Sequence, residues 1–290
     1  MPHTKVDPAI VEALGLDPAN SAINSHGGSG FASTFKITSE KDGKPLNYFV
    51  KTGTGNEAEV MFRGEHASLN AIADSVPNFC PRSHAHGALT GRPGQYFLAT
   101  DFLDLGSSAP GGSGKTLASK VAQLHTTPAP IPEGYDKPMF GFPAVRNNGA
   151  DPELEEVVET VASKVVPRLI GDGVVKNIKP VVIHGDLWSG NHSKGQIAGQ
   201  GGCEKVVYDP SAVYGHSEFE LGIMNMFGGF TNHFWKEYHD LVPKAEPVTE
   251  WPDRVKLYEL YHHLNHYAMF GGGYRGGAMS IMRKLISKYT

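Results

Sequence analysis

The sequence has few cysteines, no excess of positive charge and no long hydrophobic run. Only Cys80 and Cys203 occur among 290 residues, so disulfides do not hold a fold of this size together and a reducing compartment is expected. The 26 Lys and Arg residues against 30 Asp and Glu residues give a net charge of −4. No basic stripe of the kind that binds nucleic acid is present. No apolar stretch reaches about 18 residues, and the N-terminus lacks a basic-then-apolar signal pattern. We therefore expect a cytoplasmic globular protein with neither a nucleic-acid nor a membrane partner.

Glycine is abundant instead. Its 35 residues show no three-residue period, which excludes a collagen-like chain. Hydrophobic residues make up 40% and aromatic residues 10% of the chain. This composition supplies enough apolar surface for one large domain or two packed lobes.

The apolar pattern changes along the chain from strand-like to helix-like. Strands are predicted within 22–37, at 46–51 and from 95 toward 105. Residues 106–115, rich in Gly, Ser and Pro, predict a flexible connector. Helices are predicted at 56–73, 116–125, from Asp151 onward with a kink at Pro167, and at 218–226, 232–241, 254–270 and 278–289. We predict a strand-rich lobe at residues 1–105 and a larger helical lobe at residues 106–290.

A carboxylate lies on the apolar face of the first long helix. Glu65 shares this predicted stripe with Met61, Phe62, Leu69 and Ile72. Burying a carboxylate without a partner is costly. We therefore expect Glu65 to pair with a cation.

The strongest motif is the segment 181–191, VVIHGDLWSGN. A short apolar strand leads to Asp186, and Asn191 follows five residues later. This spacing matches the catalytic loop of protein kinases, where the Asp accepts the proton of the acceptor hydroxyl and the Asn holds Mg²⁺. Asp209, eighteen residues further on, ends a second apolar strand at the place of the second metal ligand of such a site. A lone His-Gly-Asp would more often be a tight turn, but the order of all three residues favours a phosphoryl-transfer site.

Upstream residues fit the same order. Lys51 ends a strand after a glycine-rich hairpin, as does the kinase lysine that binds the α- and β-phosphates. Glu65 is expected to pair with Lys51. The turn at Gly27, Gly28, Ser29 and Gly30 is suited to cover phosphates, because its backbone N–H groups are not shielded by side chains. Each of these features alone is common in strands and turns, and their order makes them informative.

Two other patterns favour different readings. Residues 111–116, GGSGKT, resemble the end of a P-loop, but Ala109 stands where that motif requires Gly. The histidines at 84, 86, 262, 263 and 266 have neither the spacing nor the Cys and Glu neighbours of a zinc site. We interpret the first pattern as part of the connector, and we expect His262 and His266 to share a helix face.

The sequence resembles the fructosamine-3-kinase (ketosamine-3-kinase) family in its fungal form. The resemblance rests on HGDLWSGN (184–191), YFVK (48–51), residues 208–230 and residues 257–274, and it covers most of the chain. Leu-Trp-Ser-Gly inside the catalytic loop is absent from protein kinases. The resemblance implies an α+β, protein-kinase-like fold of two lobes related to the aminoglycoside phosphotransferases. It also implies ATP- and Mg²⁺-dependent phosphorylation of the sugar 3-hydroxyl of ketosamines, small or lysine-bound, as a step of deglycation repair.

The resemblance assigns roles by position. Asp186 is the expected proton acceptor, Asn191 and Asp209 are the expected metal ligands, and Lys51 with Glu65 is the expected phosphate-binding pair. The connector Asp101, Phe102 and Leu103 is expected to meet adenine through its backbone. Three residues near the catalytic loop are candidates for acceptor binding: Trp188, His216 and Glu218. Glu218 has an equally weighted alternative as a structural carboxylate at a helix end.

The sequence departs from the family pattern between Phe142 and Asp151, where a few dozen residues that form a helix in the family are absent. This departure motivates a catalytically silent, ATP-binding protein as a first alternative. A kinase for another small molecule, of the aminoglycoside or choline type, is the second.

Overall fold

The computed structural model describes residues 5–28, 32–128, 151–176 and 178–290. The chain divides into two compact units, the first formed by Met1–Lys120 with Gly190–Ala212 and the second by Val121–Ser189 with Val213–Thr290. The first unit therefore takes in 106–120 and 190–212, which the division at residue 105 assigns to the second lobe. The assignment of separate functions to residues 1–105 and 106–290 stays a prediction.

In chain order, the strands are β1 (Ala22–Ser25), β2 (Ser33–Lys41), β3 (Lys44–Thr54), β4 (Ser83–Ala88), β5 (Gln95–Asp101), β6 (Leu103–Asp104), β7 (Val181–Ile183), β8 (His192–Ile197), β9 (Glu204–Val207) and β10 (Val213–Gly215). The helices are α1 (Pro8–Leu14), α2 (Gly55–Ser75), α3 (Leu117–Thr126), α4 (Pro152–Thr160), α5 (Val166–Ile170), α6 (Glu218–Phe227), α7 (Asn232–Leu241), α8 (Trp251–Phe270) and α9 (Gly273–Tyr289). None of the helices in the described ranges is long and apolar enough to cross a membrane.

A five-stranded antiparallel sheet forms the centre of the first unit, in the order β1-β2-β3-β5-β4. Asp42 and Gly43 have φ values of 53° and 72° and form the tight turn between β2 and β3, as their sequence predicts. Side chains alternate along β3. Val50 is fully buried in the core beside Ile37, which directs the side chain of Lys51 to the opposite face.

Helix α2 packs on this sheet through Phe62, which contacts Leu98 of β5. Most of the predicted apolar stripe is buried, but Met61 is 39% exposed, so its assignment to the stripe was wrong. The buried face runs through Ala58, Phe62 and Leu69, and Met61 lies at the edge of that face at 100° per residue.

The predicted connector is bonded to the first unit rather than free of it. Cys203 donates its backbone N–H to the carbonyl of Ala109, and Ser113 donates through its N–H and its hydroxyl to Glu204. A Cβ at Gly112 would lie 2.0 Å from the carbonyl oxygen of Cys203, so the backbones meet at a distance that only glycine permits.

The second unit is mainly helical, with the short antiparallel pair β7–β10. Asp151 caps α4 by accepting from the N–H of Leu154, and Pro152 occupies its first turn, as predicted. A π-helical turn at Val161–Val165 precedes Pro167, in place of a simple proline kink. The core joins α4 and α5 to α8 and α9 around Leu154, Leu260 and Met282.

Candidate active site

Lys51 lies between two carboxylates of the first unit. Its Nζ is 2.7 Å from Oε1 of Glu65 on α2 and 2.6 Å from Oδ1 of Asp209, which follows β9. The side chains of Lys51 and Glu65 are 14% and 11% exposed, whereas that of Asp209 is 55% exposed. One ammonium group therefore joins the helix, the sheet and the end of a second strand pair.

The charges of these three side chains depend on one another. Burial alone would lower the pKa of Lys51, but Glu65 and Asp209 raise it above its ordinary value. Burial raises the pKa of Glu65, and the charge of Asp209 adds to the effect, while Lys51 opposes both. Lys51 therefore stays charged at neutral pH, and its ammonium group offsets one carboxylate charge of this cluster.

A cavity of about 340 Å³ opens beside Lys51 within the first unit. This volume falls in the range of small-molecule sites. His26, Gly27 and Gly28 line it, and Phe49 and Leu69 contribute apolar surface. Gly27 has a φ of 70°, a conformation that favours glycine. The other two residues of the predicted turn, Ser29 and Gly30, lie outside the described residues.

The predicted adenine connector divides into two parts. Asp101 and Leu103 line the cavity, and the Asp101 carboxylate is 2.7 Å from Nε2 of His84. Phe102 instead packs its ring against His26, with the ammonium of Lys36 4.0 Å from its centroid. The N–H of Phe102 donates to the carbonyl of Asn47 and its carbonyl accepts from Ala198.

The hairpin β8–β9 brings Asn191 next to the end of β9. The strands pair His192 with Val207, and Tyr208 donates its N–H to the carbonyl of Asn191 at 3.1 Å. Asp209 follows directly with a φ of 53°. Left-handed backbone is uncommon for residues other than glycine, and it occurs both in turns and at functional sites.

The part of the catalytic-loop motif that ends at Ser189 lies in the second unit, after the buried strand β7. Gly185 has a φ of 82°, which turns the chain sharply before Asp186. The N–H of Asp186 donates to Nδ1 of the fully buried His184 at 3.3 Å. The turn holds Asp186 in a half-buried position.

Glu220 on α6 fixes this loop, a role that the sequence motifs do not predict. Its carboxylate accepts the backbone N–H groups of His184 at 2.6 Å, Gly185 at 3.1 Å and Leu187 at 3.3 Å. Burial raises the pKa of Glu220, but His125 and these donors more than offset this, so the pKa lies below its ordinary value. An acidic residue inside the apolar run FELGIMNMF was the available signal, because such a carboxylate requires partners.

The three candidates for acceptor binding also lie in the second unit. Trp188 is 37% exposed, and its ring contacts that of Phe227 at 5.7 Å. His216 contacts the hydroxyl of Tyr258 at 3.1 Å through Nδ1. Glu218 is buried, with Arg254 donating to both of its oxygens at 2.8 and 3.0 Å. This ion pair favours the structural alternative for Glu218, and the acceptor-binding roles stay predictions.

A glycine turn packs against the catalytic loop. Gly228 and Gly229 follow α6 with φ values of 65° and 91°. A Cβ at Gly229 would lie 2.5 Å from Cβ of Ser189, so this contact requires glycine. The turn thereby places Phe227 against Trp188.

Solved structures share this architecture. A protein from Thermobifida fusca assigned as a fructosamine-3-kinase superposes with a TM-score of 0.72 at 23% identity, over 97% of this chain and 98% of that one. Aminoglycoside 2′-phosphotransferase-IIIa superposes with a TM-score of 0.53 at 12% identity, over 96% of each chain. The fold is that of the protein-kinase-like phosphotransferases, which confirms the predicted α+β class.

The sequence relationship is more specific. The family model described as fructosamine kinase matches residues 4–146 and 143–288. Protein-ribulosamine 3-kinase, chloroplastic, of Oryza sativa subsp. indica is 31% identical over 94% of this chain and 85% of its own length. Ketosamine-3-kinase of Mus musculus is 30% identical over 82% of this chain and 87% of its own length. The chain belongs to the fructosamine kinase family, as the sequence resemblance indicates.

The two matched segments meet at residues 143–146. This is the stretch between Phe142 and Asp151 in which the sequence departs from the family pattern. Its interior lies outside the described residues, and the turnover measurements below test its effect on the acceptor side.

Proposed function

We propose that the chain is an ATP-dependent ketosamine 3-kinase, which phosphorylates the sugar 3-hydroxyl of glycated amines. The observation that carries the proposal is the contact of Lys51 with both Glu65 and Asp209 beside a cavity, in a chain of the fructosamine kinase family. The relatives named ketosamine and ribulosamine 3-kinase support the choice of acceptor.

The proposed nucleotide site belongs to the first unit. Lys51 supplies a positive charge for the phosphates, and Glu65 holds that charge in place. Phe49 and Leu69 line the cavity and suit the faces of an adenine ring. The N–H groups of Gly27 and Gly28, which line the cavity, bind phosphate oxygens in this proposal.

The donor set of the hairpin fits a magnesium ion. Asn191, just before β8, and Asp209, two residues after β9, offer amide and carboxylate oxygens, which are hard ligands. The N–H of Tyr208, next to Asp209, donates to the carbonyl of Asn191. Among the described residues, no group of three His, Cys, Asp or Glu forms a complete metal site. Two protein ligands agree with Mg²⁺, which completes its coordination with nucleotide phosphates and water. When bound, Mg²⁺ neutralises phosphate charge.

The proposed proton acceptor belongs to the second unit. Asp186 accepts the proton of the sugar 3-hydroxyl while the oxygen of that hydroxyl forms a bond to the γ-phosphorus of ATP. The bond from that phosphorus to the β-phosphate oxygen breaks, and ADP leaves with the electron pair. Glu220 accepts backbone N–H groups on both sides of Asp186, so the backbone that carries this carboxylate is held in place.

Steady-state turnover of purified protein with ATP, Mg²⁺ and Nε-fructosyl-lysine or Nε-ribulosyl-lysine tests the proposal. ADP release and mass spectrometry of the sugar product are measured together, because ADP release alone also reports ATP hydrolysis. We expect a phosphorylated sugar with both adducts. A rise in Tm with ATP and Mg²⁺ but no sugar phosphate would instead establish the catalytically silent alternative.

A panel of aminoglycosides and choline, run under the same conditions, addresses the other alternative. Faster phosphorylation of any of these than of the two ketosamines would overturn the choice of acceptor. Glycated and unglycated samples of one small protein then test lysine-bound adducts, since only the glycated sample is expected to take up phosphate.

A further inference from the structure

Five aromatic side chains form a continuous row in the second unit, which begins at the catalytic loop. Trp188 contacts Phe227 at 5.7 Å between ring centroids, and Phe227 contacts His266 at 5.3 Å. His266 contacts Phe270 at 5.7 Å and Tyr274 at 5.1 Å. We call these residues the aromatic row. They come from four separate segments: the loop after β7, α6, α8 and α9.

The aromatic row is not part of the core. Trp188 and Phe227 are 37% and 39% exposed, and Phe270 is 56% exposed, as is its neighbour Met269. Within the described ranges, no large apolar side chain is more exposed than these last two. A contiguous apolar patch of this kind marks a binding surface.

The aromatic row is suited to a positively charged group. None of its side chains carries a permanent positive charge, and Nδ1 of His266 donates to the carbonyl of His262 at 2.9 Å. Burial lowers the pKa of His266, so the ring is neutral at pH 7. Ammonium groups bind to the faces of aromatic rings. A ketosamine carries such a group, because its sugar is joined at C1 to a secondary amine that is protonated near neutral pH.

The row starts at the proposed proton acceptor. Trp188 donates its backbone N–H to the carbonyl of Asp186 at 3.1 Å. In a ketosamine, the amine carbon is only two carbons from the reacting C3. In the placement that we infer, an acceptor with its 3-hydroxyl at Asp186 presents its amine to Trp188 and Phe227. The chain beyond the nitrogen then lies toward Phe270 and Met269.

We propose that the aromatic row binds the amine half of the acceptor, with the hydrocarbon chain of a glycated lysine and its apolar neighbours against Phe270 and Met269. The inference rests on the proposed function, since the sugar is placed by Asp186. If the aromatic row binds this part of the acceptor, the length and apolar character of the group on the amine nitrogen determine which ketosamines are preferred. Long aliphatic adducts are better acceptors than short ones.

Two fructosyl adducts that share sugar and charge test this inference: fructosyl-methylamine and fructosyl-n-hexylamine. Burial of one methylene favours binding by about four-fold. With partial burial of the five extra methylenes, we expect kcat/KM to be at least about ten-fold higher for the hexylamine adduct, mainly through KM. Phe270→Ala and Met269→Ala reduce this ratio. Leu241→Ala, a comparable apolar change at a 49% exposed position elsewhere in the second unit, leaves it unchanged. Phe270→Lys raises KM for both adducts, because it adds a positive charge.

Calorimetric Kd values for both adducts keep the two proposals separable. If wild-type protein binds the hexylamine adduct more tightly but phosphorylates neither, the proposed function fails and the aromatic row is supported. Equal Kd values for the two adducts would overturn the inference, even in an active kinase. So would a Phe270→Ala variant of unchanged Tm that keeps the wild-type ratio.

Discussion

Glu220 accepts the backbone N–H of His184 at 2.6 Å, at a position where its carboxylate is fully buried. The same carboxylate accepts from Gly185 and Leu187, the residues on either side of Asp186. A single α6 side chain therefore fixes the backbone that presents the proposed proton acceptor. We therefore expect the hydrogen bonds of Glu220 to affect both the stability of the second unit and the rate of the reaction at Asp186.

Glu220→Gln is expected to reduce both stability and turnover. The amide keeps one acceptor oxygen but turns its NH₂ group toward N–H donors, which costs about 1–3 kcal/mol for a buried group left unsatisfied. We expect a lower Tm and a lower kcat, with little change in the Kd for ATP. Glu155→Gln, at an exposed site on α4, is the matched control. Unchanged kcat in a destabilised Glu220→Gln protein would limit this residue to a structural role.

Lys51→Met is expected to lower kcat/KM by about 10²–10³, as for loss of one preorganised charge at developing negative charge. It also leaves Glu65 buried without its cation, which lowers Tm. Adding Glu65→Gln removes that unpaired charge, so the double variant recovers Tm but not activity. Lys44→Met, at the exposed start of β3, controls for the loss of a lysine. Steady-state rates and thermal melting give both measurements.

Asp186→Asn is expected to remove proton acceptance and to slow phosphoryl transfer by about 10²–10⁴. The amide is nearly isosteric, so the loop, the Tm and the Kd for ATP should stay close to those of the wild type. Single-turnover transfer to fructosyl-lysine is the measurement, with Asp172→Asn as the control at an exposed loop. A variant that retains the wild-type rate would show that another group accepts the proton.

The sequence predicts the position of a site residue correctly where a local pattern determines which face its side chain lies on. Alternation in β3 places Lys51 opposite the buried Val50, and helical spacing places Glu65 on the inner face of α2. The sequence does not predict the partners of a side chain where they come from segments far apart in the chain. Glu218 pairs with Arg254, 36 positions away, and spacing alone does not reveal such a partner.

The aromatic row is a second arrangement of distant segments that the sequence does not predict. Its members come from four segments, and no periodicity within any one of them indicates that Trp188, Phe227 and His266 are neighbours. The sequence shows glycines at 228 and 229, but it does not show why glycine is required at these positions. They permit the close contact with Ser189 that brings Phe227 to Trp188.

The contact between Asp151 and Arg275 predicts a pH dependence of stability. Hydrogen bonds from Arg275 and from the N–H of Leu154 lower the pKa of Asp151 to about 2, from an ordinary value of 3.8. A lowered carboxyl pKa contributes stability above the ordinary value and loses it as the pH falls toward the folded-state value. Arg275→Met should therefore reduce the free energy of unfolding at pH 6. The difference from wild type should shrink between pH 4 and pH 2.

Urea unfolding at several pH values measures this difference. Arg63→Met, at an exposed position of α2, should give a difference from wild type that stays constant across the same range. A constant difference for Arg275→Met would show instead that its ion pair does not affect the titration of Asp151. Glu153 also contacts Arg275, so both carboxylates contribute to the expected effect.

Gly229→Ala is expected to destabilise the second unit and to lower turnover. The residue has a φ of 91°, and left-handed backbone costs a residue with a Cβ about 1–2 kcal/mol. The new methyl group would also lie 2.5 Å from Cβ of Ser189, so the catalytic loop or the turn must move. Gly273→Ala is the matched control, because its Cβ meets no atom within 4 Å. In a helix, that change should stabilise by about 0.4–1 kcal/mol. Equal Tm values for the two variants would contradict the steric argument, since only Gly229 is held against Ser189.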